Sequence, residues 1–336
     1  MYSAACVRTG VLRQSVEGRK ACKMPVWNRG TAQKRDKDTA KPQKNKINLV
    51  FIAKKSYLCA QIFLDMSVKL EEVTEALERI APLPLQEGYD NAGLQIGLTG
   101  TDISGVLLCL DVTEEVLREA VDLDCNLVVS HHPLLFSGLK RVGDASQVER
   151  CVRLAIENGI AVYSAHTNLD NAEDGVNYEA AERLGLMDVE LVAPRRVTVC
   201  IDGRETQVRA GSGIVGHLAQ EEDSLAFLQR VKQVFQVECL MHNELLGRPV
   251  QSLVFCGGAG DFLLPEALKM QADAFLTGEM HYHRFFGHEQ EIQIGVLGHY
   301  QSERFTIDLL CRMLGGVFPE LPMFVTQADT NPVKYL

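Results

Sequence analysis

The sequence has no run of eighteen apolar residues, which excludes a transmembrane helix. It also has no CxxC pair. Its ten cysteines are scattered singly, and Cys109, Cys200 and Cys256 fall in apolar runs. That usage excludes a disulfide framework and a thiolate zinc site, and it fits a reducing compartment, so a cytoplasmic location is expected. No Walker-type loop is present. A formal G-x-G-x-x-G stands at Gly211-Ser212-Gly213-Ile214-Val215-Gly216, but Gln220-Glu221-Glu222-Asp223 intervene before the expected helix 224–236. Those acids would repel a pyrophosphate, so these glycines are read as a flexible loop. Basic residues are scarce over most of the chain. Residues 1–65 hold 14 Lys/Arg and 4 Asp/Glu, whereas the remainder holds 20 and 40, a balance of −20. Phosphate affinity depends on Lys and Arg, so no nucleic-acid binding is expected of that acidic part.

The basic segment lacks sustained periodicity, and Lys34-Arg35-Asp36-Lys37-Asp38-Thr39-Ala40-Lys41-Pro42 reads as disordered. Met66-Ser67 stands immediately before the first amphipathic helix and is the expected start. Residues 1–65 are then an upstream extension that includes untranslated sequence, with a transit peptide as the alternative.

With 336 residues, 46% of them hydrophobic, the chain can build a sizeable core and a soft expectation is two domains. Val73, Leu77 and Ile80 give a helix over 68–80 that Pro82 and Pro84 end. Gly88 to Gly97 is a turn leading to a short strand. Val106–Leu110, Leu127–Ser130 and Ile160–Ser164 are apolar runs of strand length. Between them lie helices 112–122, with Asp111 and Glu114 as a capping box, and 145–158, stopped by Gly159; helix 175–184 follows and ends at Gly185. This alternation predicts an α/β fold with mainly parallel sheets and helices on both faces. Val197–Ile201 and Thr206–Ala210 form a hairpin around Asp202-Gly203.

One strand–helix–strand unit recurs. At a fixed offset of 147, Ser252-Leu253-Val254-Phe255-Cys256 falls on Gly105–Cys109, and Ala274-Phe275-Leu276-Thr277 falls on Leu127–Ser130. Both copies end in polar clusters, His131-His132 in the first and Gly278-Glu279-Met280-His281-Tyr282-His283 in the second. Two similar α/β domains would thus face each other across a cleft, a usual place for an active site.

The last strand, Gln293–Leu297, leads through Gly298 into a helix that runs to Gly315-Gly316. His299 and Glu303 share one face of that helix. Taken with His131, His132 and Asp170, they occupy the first polar positions after three strands, where ligands collect in parallel α/β sheets. Three imidazoles and two carboxylates suit zinc, iron, manganese or nickel better than calcium or magnesium. Five side chains are many for one catalytic ion and natural for two ions that share a carboxylate. Adjacent side chains diverge, so His131 and His132 are expected to serve different ions.

Ser130-His131-His132-Pro133, His166-Thr167-Asn168-Leu169-Asp170, Thr277-Gly278-Glu279 and Gly298-His299-Tyr300-Gln301-Ser302-Glu303 together resemble the NIF3 family, in its short bacterial form. The resemblance covers roughly residues 66–325. Tyr89 stands where a Trp commonly precedes Asp90-Asn91, and Gln301-Ser302 replaces the commoner Glu-Thr. The family is also described as dinuclear-metal-centre hexameric proteins and as type 2 GTP cyclohydrolase I homologues. The resemblance implies two α/β domains around a di-metal site, residues 66–194 with 295–336 forming the first and 195–294 the second. It implies two divalent ions per chain on His131, His132, Asp170, His299 and Glu303, with Glu303 the bridge, and a toroid of six chains. A metal-dependent hydrolase of a nucleotide or related heterocycle is the leading expectation, with Glu279, His281 and His283 as candidates for acid–base or phosphate contacts. The alternative is a non-catalytic metal-binding or interaction protein.

Overall fold

Val106–Cys109, Leu127–Ser130 and Ala161–Ser164 are buried at every position. Strands with no solvated face belong in the interior of a parallel sheet covered on both sides, and the computed structural model, which describes residues 67–201 and 203–336, places them there. The strands are β1 (Gly93–Ile96), β2 (Val106–Cys109), β3 (Leu127–Ser130), β4 (Ala161–Ser164), β5 (Leu186–Leu191), β6 (Arg195–Ile201), β7 (Arg204–Ala210), β8 (Ile214–Glu222), β9 (Met241–His242), β10 (Val250–Cys256), β11 (Ala274–Thr277), β12 (Gln293–Val296) and β13 (Met323–Val325). The first sheet runs β1-β4-β3-β2-β13, the second β5-β8-β10-β11-β12-β9, and β6 and β7 form a separate hairpin. Parallel pairing holds the centre of both sheets, and antiparallel strands flank it: β1 in the first, β5, β8 and β9 in the second.

The recurring unit is visible in the pairing register. Val106 lies opposite Leu127 in one sheet, and Leu253 opposite Ala274 in the other, the pair displaced by the same offset of 147. Between the two sheets lie two helices in contact: Val176–Leu184 on β8 and β10, and Thr306–Val317 on β2. Their buried faces join both sheets in one apolar cluster that runs from Leu70 and Val106 to Leu253 and Leu276.

Four expectations change. The cap of helix Glu114–Asp122 is Thr113, whose hydroxyl accepts from Val116 N at 3.2 Å; Asp111 is turned away to a histidine. The glycines at 211–216 do not form a flexible loop, because Ile214–Gly216 begins β8 and Glu221 and Glu222 end it. A Cβ on Gly216 would lie 3.1 Å from Leu186 Cβ, so the glycine serves the close approach of β5. The helix expected from 298 to 316 is two helices, His299–Glu303 and Thr306–Val317, separated at Arg304-Phe305. Finally, β5 and β12 belong to the second sheet, so boundaries at 194 and 294 cut across it: β12 pairs with β11 residue for residue. The expectations for residues 1–65, the start at Met66 and Asp202 lie outside the described residues. Among those described, no helix is long and apolar enough to cross a membrane.

Candidate metal centre

The carboxyl ends of β2, β3 and β4 face those of β10, β11 and β12 across a cavity of about 900 Å³. The residue after each strand end is where backbone pairing stops and a side chain is free to turn inward. Asp111 follows β2 closely, His131-His132 follow β3, His166 and Asp170 follow β4, Glu279 follows β11, and His299 with Glu303 follow β12.

Glu303 lies at the middle, only 3% exposed. Its Oε2 is 3.0 Å from His132 Nε2 and 3.1 Å from His299 Nε2. Its Oε1 is 3.8 Å from His131 Nε2, which in turn is 3.7 Å from Asp170 Oδ1. The five residues expected from the sequence therefore come together, in two sets that share Glu303. The rings of His131 and His132 are 4.9 Å apart, yet their Nε2 atoms address different oxygens of Glu303. Space for that carboxylate depends on the opposite loop: a Cβ on Gly258, which has φ of +58°, would lie 2.3 Å from Glu303 Oε1.

Each imidazole is oriented from its far side. Nδ1 of His131 donates to the Ala165 carbonyl at 2.8 Å, Nδ1 of His132 to Asp111 at 2.7 Å, Nδ1 of His166 to Asp90 at 2.7 Å and Nδ1 of His299 to Glu279 at 2.9 Å. A proton held at Nδ1 leaves Nε2 with its lone pair, the form that binds a metal. His131 Nε2 is fully buried and has no hydrogen-bond partner. An orphaned buried acceptor is costly, and here it lies between two carboxylates. The spacing of 3.7 and 3.8 Å is too long for a hydrogen bond and suits donors around one ion with bonds of about 2.0–2.2 Å. The residues present therefore fit a divalent metal.

The electrostatics agree. Burial alone would lower His132, but hydrogen bonds to Asp111 and Glu303 outweigh it and raise the imidazole to about 10. His299 behaves alike, raised to about 9 mainly by Glu303. Burial would raise Glu303, yet the surrounding imidazoles hold it well below its ordinary value. Asp170 is pushed up to about 7, chiefly by burial, with His131 opposing. Asp90 resists burial through its bonds to His166 and Thr167 and lies at about 2. Positive charge is favoured at the centre of this cluster, and a divalent cation supplies it as protons do.

Of the three candidates from the second repeat, Glu279 orients His299, and His281 lies on the cavity rim with Nδ1 bonded to Asp261 at 2.8 Å. His283 is not among the cavity-lining residues; its ring packs on Tyr282 and Phe286. The structure adds His166, grouped with His131 and His132 within ligand reach, and the orienting carboxylates Asp90 and Asp111. Their signal was available. His166 and Asp111 are polar residues just past β4 and β2, the same criterion that singled out the other five. The C-terminal residues Asn331, Pro332, Val333 and Tyr335 complete the wall, and Thr330 bonds Asp111 at 2.8 Å.

Comparison with known proteins bears on this site. A Clostridium perfringens protein described as a GTP cyclohydrolase 1 type 2 homolog is 32% identical over 238 residues, which cover 70% of this chain and 87% of that protein. A Drosophila melanogaster protein described as NIF3-like protein 1 is 29% identical over 269 residues, 79% of this chain and 88% of that protein. Among solved structures, a Bacillus cereus protein related to NIF3 superposes with a TM-score of 0.70 at 24% identity, covering 80% of this chain and 99% of that one. A hypothetical protein of Staphylococcus aureus gives 0.73 at 22%, covering 80% and 100%. These two structures share the fold. The family model for Duf34/NIF3 (NGG1p interacting factor 3) matches residues 68–332, a span that holds every residue of the cluster, and the chain therefore belongs to the Duf34/NIF3 family.

Proposed function

We propose that the protein binds two divalent metal ions in the cleft and hydrolyses a small nucleotide-like or related heterocyclic substrate there. The observation that carries this reading is the division of Glu303. One oxygen faces His132 and His299 and the other faces His131 and Asp170, so a single carboxylate serves two positions. Zinc, iron, manganese and nickel all suit this donor set. When bound by these residues, such ions would supply Lewis acidity and lower the pKa of water at the site.

The chain's own residues do the rest. Ala165, Asp111 and Glu279 fix the imidazoles. The cavity is of a size that encloses a small ligand. His281 is anchored through Nδ1 and keeps its other nitrogen for proton exchange with a ligand at the rim. Relatives described as GTP cyclohydrolase 1 type 2 homologs support hydrolysis of a heterocycle as the reaction class. Assembly of six copies into a ring belongs to the same reading and rests on the family resemblance.

The test is metal content per chain after identical dialysis, with a hydrolysis screen run in parallel. Glu303→Ala should lower occupancy at both positions and abolish turnover, whereas Asp170→Ala should leave one ion largely bound. Retention of both ions by Glu303→Ala would remove the bridging role and the main support for a two-ion hydrolase.

A further inference from the structure

We propose that the cavity receives a planar nitrogen heterocycle carrying no polyphosphate, a nucleobase or nucleoside, with its ring laid on Tyr89 and Phe136. This inference rests on the reading of the cleft as a substrate site and narrows what enters it.

The first observation is charge. Among the described residues, no lysine or arginine lines the cavity, whereas Glu87, Asp111, Asp170, Asp261, Glu279 and Glu303 do. Arg195 pairs with Glu87 at 3.0 Å and Arg284 with Asp261 at 3.1 Å, and neither arginine lines the cavity. The four remaining carboxylates balance two divalent ions and leave no surplus positive charge. A triphosphate brings several negative charges, and sites that hold one supply lysine, arginine or free backbone amides.

The second observation concerns those amides. Gly257-Gly258-Ala259-Gly260 lies against the cluster and has the composition of a phosphate cradle. Three of its four amides are already committed, Gly257 N to Asn177 Oδ1 at 3.1 Å, Gly258 N to Ser302 Oγ at 3.0 Å and Gly260 N to Thr277 Oγ1 at 3.1 Å. That leaves the single amide of Ala259, and one N–H does not cradle a polyphosphate. Gly257 and Gly258 make room for Glu303 instead.

The third observation is the aromatic pair. Tyr89 is 66% exposed and Phe136 49% exposed, both lining the cavity, with ring centroids 6.4 Å apart. Phe136 stands edge-on to His166 at 6.2 Å, so the platform abuts the metal cluster. It is braced from behind. Asn91 Nδ2 donates to the Leu135 carbonyl at 2.7 Å, and Leu135 N donates to Gln95 Oε1 at 3.1 Å, tying the two segments together. Two large rings held open to water beside a reactive centre are suited to a flat ligand, and every base offers a π-face. Glu279 can accept a ring N–H, and the carboxamides of Gln301 and Asn331 supply further polar contacts.

Binding to the full chain, saturated with manganese(II), is measured by isothermal titration for a panel of nucleosides and free bases, their 5′-triphosphates and inorganic tripolyphosphate. At least one nucleoside or base should bind, and its triphosphate should bind no more tightly. Tyr89→Leu and Phe136→Leu, which keep apolar bulk and lose the ring, should each weaken binding about tenfold with manganese per chain unchanged. Three results overturn the proposal: no neutral member of the panel binds, tripolyphosphate competes with the bound ligand, or both leucine variants bind as the parent does. The readout is binding, so the two readings fail separately. A nucleoside that binds and is never turned over sinks the hydrolase and leaves this inference standing. Hydrolysis of a triphosphate without nucleoside binding does the reverse.

Discussion

Four imidazoles in the cleft share one arrangement, with Nδ1 on an oxygen acceptor and Nε2 turned toward the centre, and it makes the acceptors as consequential as the ligands. Asp111 is the clearest case because its partner His132 faces the shared Glu303 oxygen. Asp111→Ala should weaken the ion at His132 and His299 by about 10- to 100-fold, and Asp111→Asn should weaken it less, since a neutral amide oxygen still fixes the tautomer. A competitive chelator titration separates the three proteins; equal affinity in all three would show that the Asp111 bond has no bearing on the metal. The candidate ligands were legible in the sequence because His131-His132 and His299 stand just past apolar runs, with Asp170 and Glu303 a few residues further on. The orienting residues were harder. Asp111 with Glu114 carries the spacing of a capping box, and only the structure shows that Thr113 occupies the cap while Asp111 reaches a histidine 21 positions on. Asp90 bonds His166 from 76 residues away, a pairing that no local pattern encodes.

The central parallel strands were readable in the sequence, whereas β5, β8, β9 and β13 were not expected from it. The apolar runs starting at Val106, Leu127 and Ala161 are too short for a helix and of strand length, and the structure buries all four residues of each. Gly216 of β8 misled because glycine allows both a loop and a close approach of neighbouring strands, and the choice depends on Leu186 of β5. A polar link between elements was equally hidden. Glu179, buried on helix Val176–Leu184, binds Arg183 of its own helix at 2.8 Å and Arg312 of helix Thr306–Val317. Burial alone would raise this carboxyl, and the two guanidinium groups overcome burial and hold it below its ordinary value of 4.5. A carboxyl lowered in the folded state stabilises the fold above the unfolded pKa and ceases to do so as pH falls through the folded one. Glu179→Gln should therefore cost about 1–3 kcal/mol near neutral pH. The gap from the parent should shrink below pH 4.5 as the parent's carboxyl is protonated. Urea melts at three pH values test this, and a gap that stays constant would mean that the ion pair is not what holds these helices together.

At the scale of the whole molecule, the repeat was legible because side-chain pattern and pairing register are both conserved across an offset of 147. The division into domains was not. β5 and β12 join the second sheet by hydrogen bonding to β8 and β11, and an apolar core cluster continues through both sheets, so sequence position is a poor guide to membership. On the ring assembly proposed above, light scattering at micromolar concentration should return a mass near six chains; a monomer would exclude it. The C-terminal wall has a practical consequence for all of these measurements. Asn331, Pro332, Val333 and Tyr335 line the cavity, so a handle attached just beyond them begins at its mouth. A polyhistidine handle there would bring foreign imidazoles to a centre already built of imidazoles. It would scavenge ions, inflate the metal stoichiometry and screen the aromatic platform from ligand. Affinity handles belong at the other end or must be cleaved before any ion is counted.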